Sequence, residues 1–168
     1  VSAFSLYRVA IFTHELVHLK KGSFKIFIAF WNLIAGFPLL IPSFTYQGVH
    51  SDHHRRDTYG TKEDGEYLPF GAEQHWKIVA YVFLSLVLPL LFLVRFLILT
   101  PLSWFNKTIA NYAWQRASSL TIDLDYRRPP PSKLDGEHWR LQELCTTFYV
   151  WTVAVLIYLD ILPLKVAF

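Results

Sequence analysis

Five of the seven histidines in this chain stand in two short clusters, His14-Glu15-Leu16-Val17-His18 and His50-Ser51-Asp52-His53-His54. Between them, from Ile26 to Val49, no side chain is ionised. Ligands of one metal centre must converge within a few ångströms. A straight helix through Phe24 to Tyr46 is long enough to cross a bilayer at about 1.5 Å per residue. It would hold the two clusters about 30 Å apart, on opposite membrane faces. Gly36, Pro38 and Pro42 interrupt the stretch, and each proline removes a helical hydrogen bond. The segment therefore reads as one that dips into the membrane and returns, or lies in the interface.

The rest of the chain is that of a membrane protein. Only 17% of its 168 residues are charged, 53% are hydrophobic, and the mean hydropathy is +0.28. A soluble domain carries about a quarter charged residues. The net charge of +3 is small and scattered, which gives no case for nucleic acid. The single cysteine, Cys145, excludes an internal disulfide and a cysteine-based metal site. There is no Met and no signal-peptide pattern, so the chain reads as a fragment whose first residues, Val1 to Thr13, end a membrane helix.

Ile78 to Leu102 is the strongest spanning candidate, kinked at Pro89, with Arg95 snorkelling towards its far end; a re-entrant hairpin is the alternative. Leu144 to Leu162 is the last span. Between them, Ser103 to Glu143 is polar and amphipathic, and Arg127-Arg128-Pro129-Pro130-Pro131 is a stiff extended linker. Gly60 to Glu66 reads as a surface loop. The expected fold is an all-α integral-membrane helical bundle, one domain over 1–168, with a polar metal-binding face. Lys20, Lys21, Lys25, Arg55, Arg56, Lys62 and Lys77 gather on the side of the clusters, which favours a cytoplasmic metal face.

On a helix, His14 and His18 are four apart and share a face. His50, His53 and His54 are three and four apart and share another. Meeting faces would offer five imidazoles, and imidazole suits iron, zinc, copper and nickel. Histidines at membrane depth are costly, and that cost implies use. Glu15 points off the shared histidine face. Asp52, inside the second cluster, is positioned to orient a histidine through its other ring nitrogen. His75 and His138 each precede a Trp, as interfacial residues do. Asp123, Asp125 and Glu143 have no pairing that argues for catalysis.

The two clusters are an H-x-x-x-H box and an H-x-x-H-H box separated by an apolar interval. With the run G-V-H-S-D-H-H-R-R-D-T-Y-G-T-K-E-D-G-E-Y-L-P-F, residues 48–70, the chain resembles the integral-membrane fatty acid desaturase and hydroxylase superfamily. That resemblance implies a non-haem centre of two Fe ions held mainly by histidines, here His14, His18, His50, His53 and His54. It implies O2 as oxidant, a fatty acyl lipid in the bilayer as substrate, and a small electron carrier such as a ferredoxin or a b-type cytochrome. The metal does the chemistry that an unactivated C–H bond demands, and apolar walls, with Phe27, Phe30, Trp31, Phe37 and Phe44 as candidates, bury the acyl tail. The similarity around the second box favours a desaturase over a hydroxylase. The family's third histidine box is absent through Phe168. The chain is read as truncated before it and, alone, as inactive.

Two other classes compete. H-E-L-V-H also satisfies the H-E-x-x-H pattern of zinc metalloproteases, with Glu15 as general base and Asp123 or Asp125 as third ligand. That reading leaves the second cluster unexplained. Paired axial histidines would also suit a haem-binding membrane protein, although five clustered histidines exceed that need.

Overall fold

A computed structural model describes residues 2–20, 22–67 and 75–163; Lys21 and the Leu68–Phe70 end of the resembling run lie outside them. The described residues contain helices and turns and no strand. The expected all-α class holds.

Helix α1, Ser2–His18, carries the first box at its end. Leu16 lies between the two histidines in sequence and on the opposite side of the helix. It is buried against Trp31 and Ala35, with Val9, Ile28 and Leu39 around them. Removing a leucine side chain from water stabilises by about 1.5–3 kcal/mol, so this contact fastens the first box to the connector that follows.

The connector turns back rather than crossing. Helix α2 is only Lys25–Trp31. A π-helical turn, Asn32–Gly36, ends it, and after Pro42 a single 3-10 turn, Ser43–Thr45, leads into the short helix α3, Val49–His53. Buried polar groups hold the turn. Asn32 donates from Nδ2 to Ser43 Oγ at 3.0 Å and accepts from the Ser43 amide at 2.8 Å. Gln142 Oε1 accepts from Ser43 Oγ and the Phe44 amide, both at 3.1 Å. Gly48, with φ of +89°, makes the last bend before the second box, a conformation that costs glycine little.

Helix α4, Trp76–Val94, includes Pro89 and runs through a π-helical turn, Arg95–Leu99, into α5, Thr100–Ser103. Helix α6 is Lys107–Ala117, capped by Asn106, whose Oδ1 accepts from the Thr108 and Ile109 amides. Helix α7 is Lys133–Tyr158. It starts well before, and ends short of, the span expected at 144–162; Ser132 caps it. Trp76–Ser103 and Asp135–Tyr158 are each long and apolar enough to cross a membrane.

Val79, Phe83, Leu86 and Leu90 are exposed along one face of α4, and Phe148, Trp151, Val155 and Tyr158 along one face of α7. Both sets recur at three- and four-residue steps, the pattern of one helix face. Water does not favour such stripes on a folded monomer, whereas acyl chains do. Phe44, Phe92, Phe96 and Val150 form the core between connector, α4 and α7.

Arg95 does not snorkel. It is 3% exposed and donates to the Ala117 carbonyl and to Ser118 Oγ, both at 3.0 Å, and to Thr100 and Glu143. Glu143, which showed no pairing in the sequence, is its counter-ion. The stem that was expected to reach water instead ties α4 to α6 and α7.

Candidate metal centre

The turn in the connector brings the ends of α1 and α3 together. His14, His18, His50 and His54 present nitrogens that all lie within 4.8 Å of one another. His50 is the hub. Its Nε2 is 3.0 Å from His18 Nε2 and 3.0 Å from His54 Nε2, and His18 Nε2 is 3.4 Å from His14 Nε2. Two imidazole nitrogens bound to one ion at about 2.1 Å and at right angles lie about 3.0 Å apart. The donor set, all imidazole with no cysteine, is one that iron accepts. The residues present therefore fit an ion of that kind.

His53 is not one of the four. Its ring packs beside those of His50 and His54, with centroids 6.1 and 5.6 Å away. Its Nδ1 donates to the Asp64 carboxylate, at 2.9 and 3.0 Å to the two oxygens. His50 makes the matching bond from Nδ1 to Glu66, 3.0 Å to either oxygen. Tyr46 stacks on the His50 ring at 4.8 Å and donates its hydroxyl to Glu66 Oε2 at 3.1 Å.

The electrostatics at His50 favour the neutral ring. Burial pushes the His50 imidazole below its ordinary value, against the opposing pull of Glu66. A neutral ring that donates from Nδ1 keeps the Nε2 lone pair free. Burial also raises the Tyr46 phenol, reinforced by the Glu66 charge, so it stays a hydrogen-bond donor. Burial tends to raise the Asp64 carboxyl. The Gly60 amide, the His53 ring and the Glu66 amide outweigh it and hold the group below the usual carboxylate range.

The structure changes the readings of Asp52 and of the 60–66 loop and places the other candidates. Asp52 orients no histidine: it pairs with Arg55 at 3.5 Å, and burial raises its carboxyl. The orienting carboxylates are Asp64 and Glu66, in the stretch read from sequence as surface loop; Asp64 is fully buried. Glu15 is exposed and bonds His14 Nδ1 at 3.0 Å. Asp125 pairs with Lys77, and Asp123 accepts from the Asp125 amide. Neither supplies the third ligand that a zinc protease would need. His75 and His138 are exposed and stand outside the histidine group. The only sequence hint of Asp64 and Glu66 is a D-x-E spacing in a glycine-rich turn, which is common in solvated loops.

Arg128 was also hidden in the linker. It is 3% exposed, lies 4.6 Å from the Trp114 ring and 4.4 Å from the Trp139 ring, and donates to the carbonyls of Phe44, Gln47 and Ser118. Burial pulls its guanidinium down to about 10, so it remains charged. It pins the backbone just before the second box to the linker and α7.

The sequence profile described as Fatty acid desaturase matches residues 1–167. The chain belongs to the fatty acid desaturase family. Within it, a Ceramide hydroxylase of Caulobacter vibrioides (strain NA1000 / CB15N) is 33% identical over 166 residues. The alignment covers 99% of this chain and 47% of that protein, so this desaturase-family chain spans about half the length of the curated relative it matches. No solved structure matches it. The family match and the two helices long and apolar enough to cross a membrane agree with a membrane-associated member of that family.

Proposed function

We propose that this chain contributes the first two histidine boxes of an O2-dependent, non-haem di-iron enzyme that hydroxylates the hydrocarbon chain of a ceramide or ceramide-like lipid. The observation that carries the metal reading is the convergence of His14, His18, His50 and His54 from two helices joined by a returning apolar connector. The similarity to a ceramide hydroxylase favours hydroxylation over the desaturation expected from the second box alone. Insertion of a double bond is kept as the second reading, because the matching family profile is described as Fatty acid desaturase.

Iron and O2 supply the oxidant that an unactivated C–H bond requires. Hydroxylation places one oxygen atom of O2 in the C–H bond and the other in water. The two electrons come one at a time from a small carrier protein, a ferredoxin or a b-type cytochrome by class, and the two protons come from solvent. The residues of this chain hold and orient. His14, His18, His50 and His54 provide nitrogen donors, and His53 stands beside them with its Nδ1 held by Asp64. A two-iron centre needs more donors than these histidines supply. The apolar stripes of α4 and α7 keep the protein in lipid, and the connector's aromatic residues, Phe27 and Phe30 among them, face the acyl region. Basic Lys20, Lys25, Arg55, Arg56 and Lys62 near the boxes support a cytoplasmic metal face.

The test is to express the full-length protein in a host lacking the activity, supply ceramide, and analyse lipids by mass spectrometry. Hydroxylation yields a product with one added oxygen. A product lacking two hydrogens returns the enzyme to the desaturases. Stoichiometric zinc with peptide hydrolysis would remove the oxygenase reading.

A further inference from the structure

Two of the histidines are held by a device that the metal reading does not require. Asp64, Gly65 and Glu66 are consecutive, yet their two carboxylates reach two different imidazoles of α3, Asp64 at His53 Nδ1 and Glu66 at His50 Nδ1. What fixes the turn is not a histidine. The Asp64 carboxylate accepts from the amides of Gly60 at 2.9 Å and Glu66 at 3.0 Å. The Gly65 carbonyl accepts from the amides of Ile122 at 2.8 Å and Asp123 at 3.0 Å. Gly65 also sits so close to its neighbours that a Cβ there would stand 2.9 Å from Val49 Cγ1 and 3.0 Å from the Tyr126 ring. Val49 is the first residue of α3 and is fully buried. The turn is thus seated directly against the start of the helix that carries the second box, and is bolted from behind by residues 122–126.

We infer that Asp64-Gly65-Glu66 is a two-pronged bracket that fixes His50 and His53 as Nδ1–H tautomers, with Nε2 bare, before any metal binds. Asp64 and Glu66 are positioning residues, acting through the histidines. Gly65 is the hinge whose lack of a side chain lets the bracket close on Val49. In the first box the one carboxylate on a ring Nδ1 among the described residues is Glu15, which is exposed and braced by no such turn. The inference rests on the metal-centre reading for its purpose but not for its geometry, because every contact that seats the turn is made by protein groups. Partners that set the tautomer of a ligating imidazole change metal affinity about 10–100-fold.

The experiment uses the full-length protein labelled with 15N-histidine, metal-free and then loaded with cobalt(II), with signals assigned by their loss in single histidine variants. Long-range proton–nitrogen NMR spectra at neutral pH report which ring nitrogen carries the proton. The expected result is Nδ1–H with bare Nε2 for both His50 and His53 in the metal-free wild type. Asp64→Leu should free the His53 tautomer and leave His50 in place. Asp64→Asn, whose side-chain oxygen accepts the same bond, should restore it. Gly65→Ala should disturb both rings, and through His50 it should lower cobalt affinity about 10-fold or more. An Nε2–H or freely exchanging His53 in the metal-free wild type overturns the bracket, whether or not the variants fold. So does an unchanged His53 spectrum in Asp64→Leu. Correct tautomers in a wild type that binds no cobalt would uphold the bracket and defeat the metal reading; the converse would do the opposite.

Discussion

The two histidine boxes reach the same point by different means. The first box ends a regular helix of 17 residues, its rings brought into line by helical spacing alone, with an exposed Glu15 as the only carboxylate bonded to it among the described residues. The second sits on a helix of five residues that could not stand by itself. It is held by Tyr46 and Glu66 on His50, by Asp64 on His53, and by Arg128 on the carbonyls of Phe44 and Gln47 upstream. A box on a long helix takes its geometry from backbone periodicity. A box on a short one takes it from contacts distant in sequence, and those contacts are where substitutions should tell the two apart.

The largest expected effect is at the hub. His50→Ala removes the nitrogen that approaches both His18 and His54, and metal affinity should fall by more than about 100-fold, beyond the usual loss on removing a supporting partner. Metal analysis of the purified variant checks this. Retention of metal by His50→Ala would show the first box sufficient and break the comparison.

Next come the two buried cations, Arg95 between α6 and α7 and Arg128 behind the second box. Glu143→Leu leaves Arg95 buried without its counter-ion, a change that costs about 3–5 kcal/mol. It should lower the melting temperature in detergent, while Arg95→Met with Glu143→Leu together should recover much of the loss. Arg128→Met strips donors from three carbonyls and should cost about 3 kcal/mol, since each unsatisfied buried acceptor costs about 1–3 kcal/mol. Here the loss of stability should be accompanied by loss of metal, because the loop before α3 is released.

A pH series sharpens the contrast further. Burial holds the folded His50 imidazole below its ordinary value of 6.5. The neutral ring therefore stabilises the fold fully above that value, and the contribution is lost as the pH falls below it towards the folded value. Thermal melts of metal-free protein should show stability declining below about pH 6.5, and His50→Gln should flatten that part of the profile. The smallest effect is expected at the first box. Glu15→Gln alters an exposed pair worth about 1 kcal/mol or less, so metal affinity should change about fivefold at most. A loss as large as that of His50→Ala would contradict the view that the first box needs no bracket.

Much of the first box was legible in the sequence, because a four-residue spacing on a long apolar helix has one geometric meaning. The returning connector was legible too, from Gly36, Pro38 and Pro42 combined with the need for ligands to meet. The supports of the second box were not. Asp64 lies 11 residues from His53 and Glu66 lies 16 from His50, across turns with no periodicity to predict where a carboxylate points. Arg95 read as a snorkelling residue because its partner Glu143 is 48 positions away. Nothing near Arg95 in sequence signals an internal counter-ion. Arg128 read as linker charge for the same reason: the two tryptophans that enclose it come from α6 and α7. Asp52 was the nearest acid in sequence and the wrong one, because on the short α3 its side chain turns towards Arg55 rather than a ring nitrogen.

The most direct test of the shared metal centre is X-ray absorption at the iron edge of the full-length protein, compared with its His18→Ala and His50→Ala variants. The expected spectrum has several imidazole nitrogens at about 2.1 Å and no sulfur, and loses imidazole scattering when a histidine of either box is removed. A wild type whose iron shell is unchanged by both substitutions, or which holds zinc in place of iron, would contradict it.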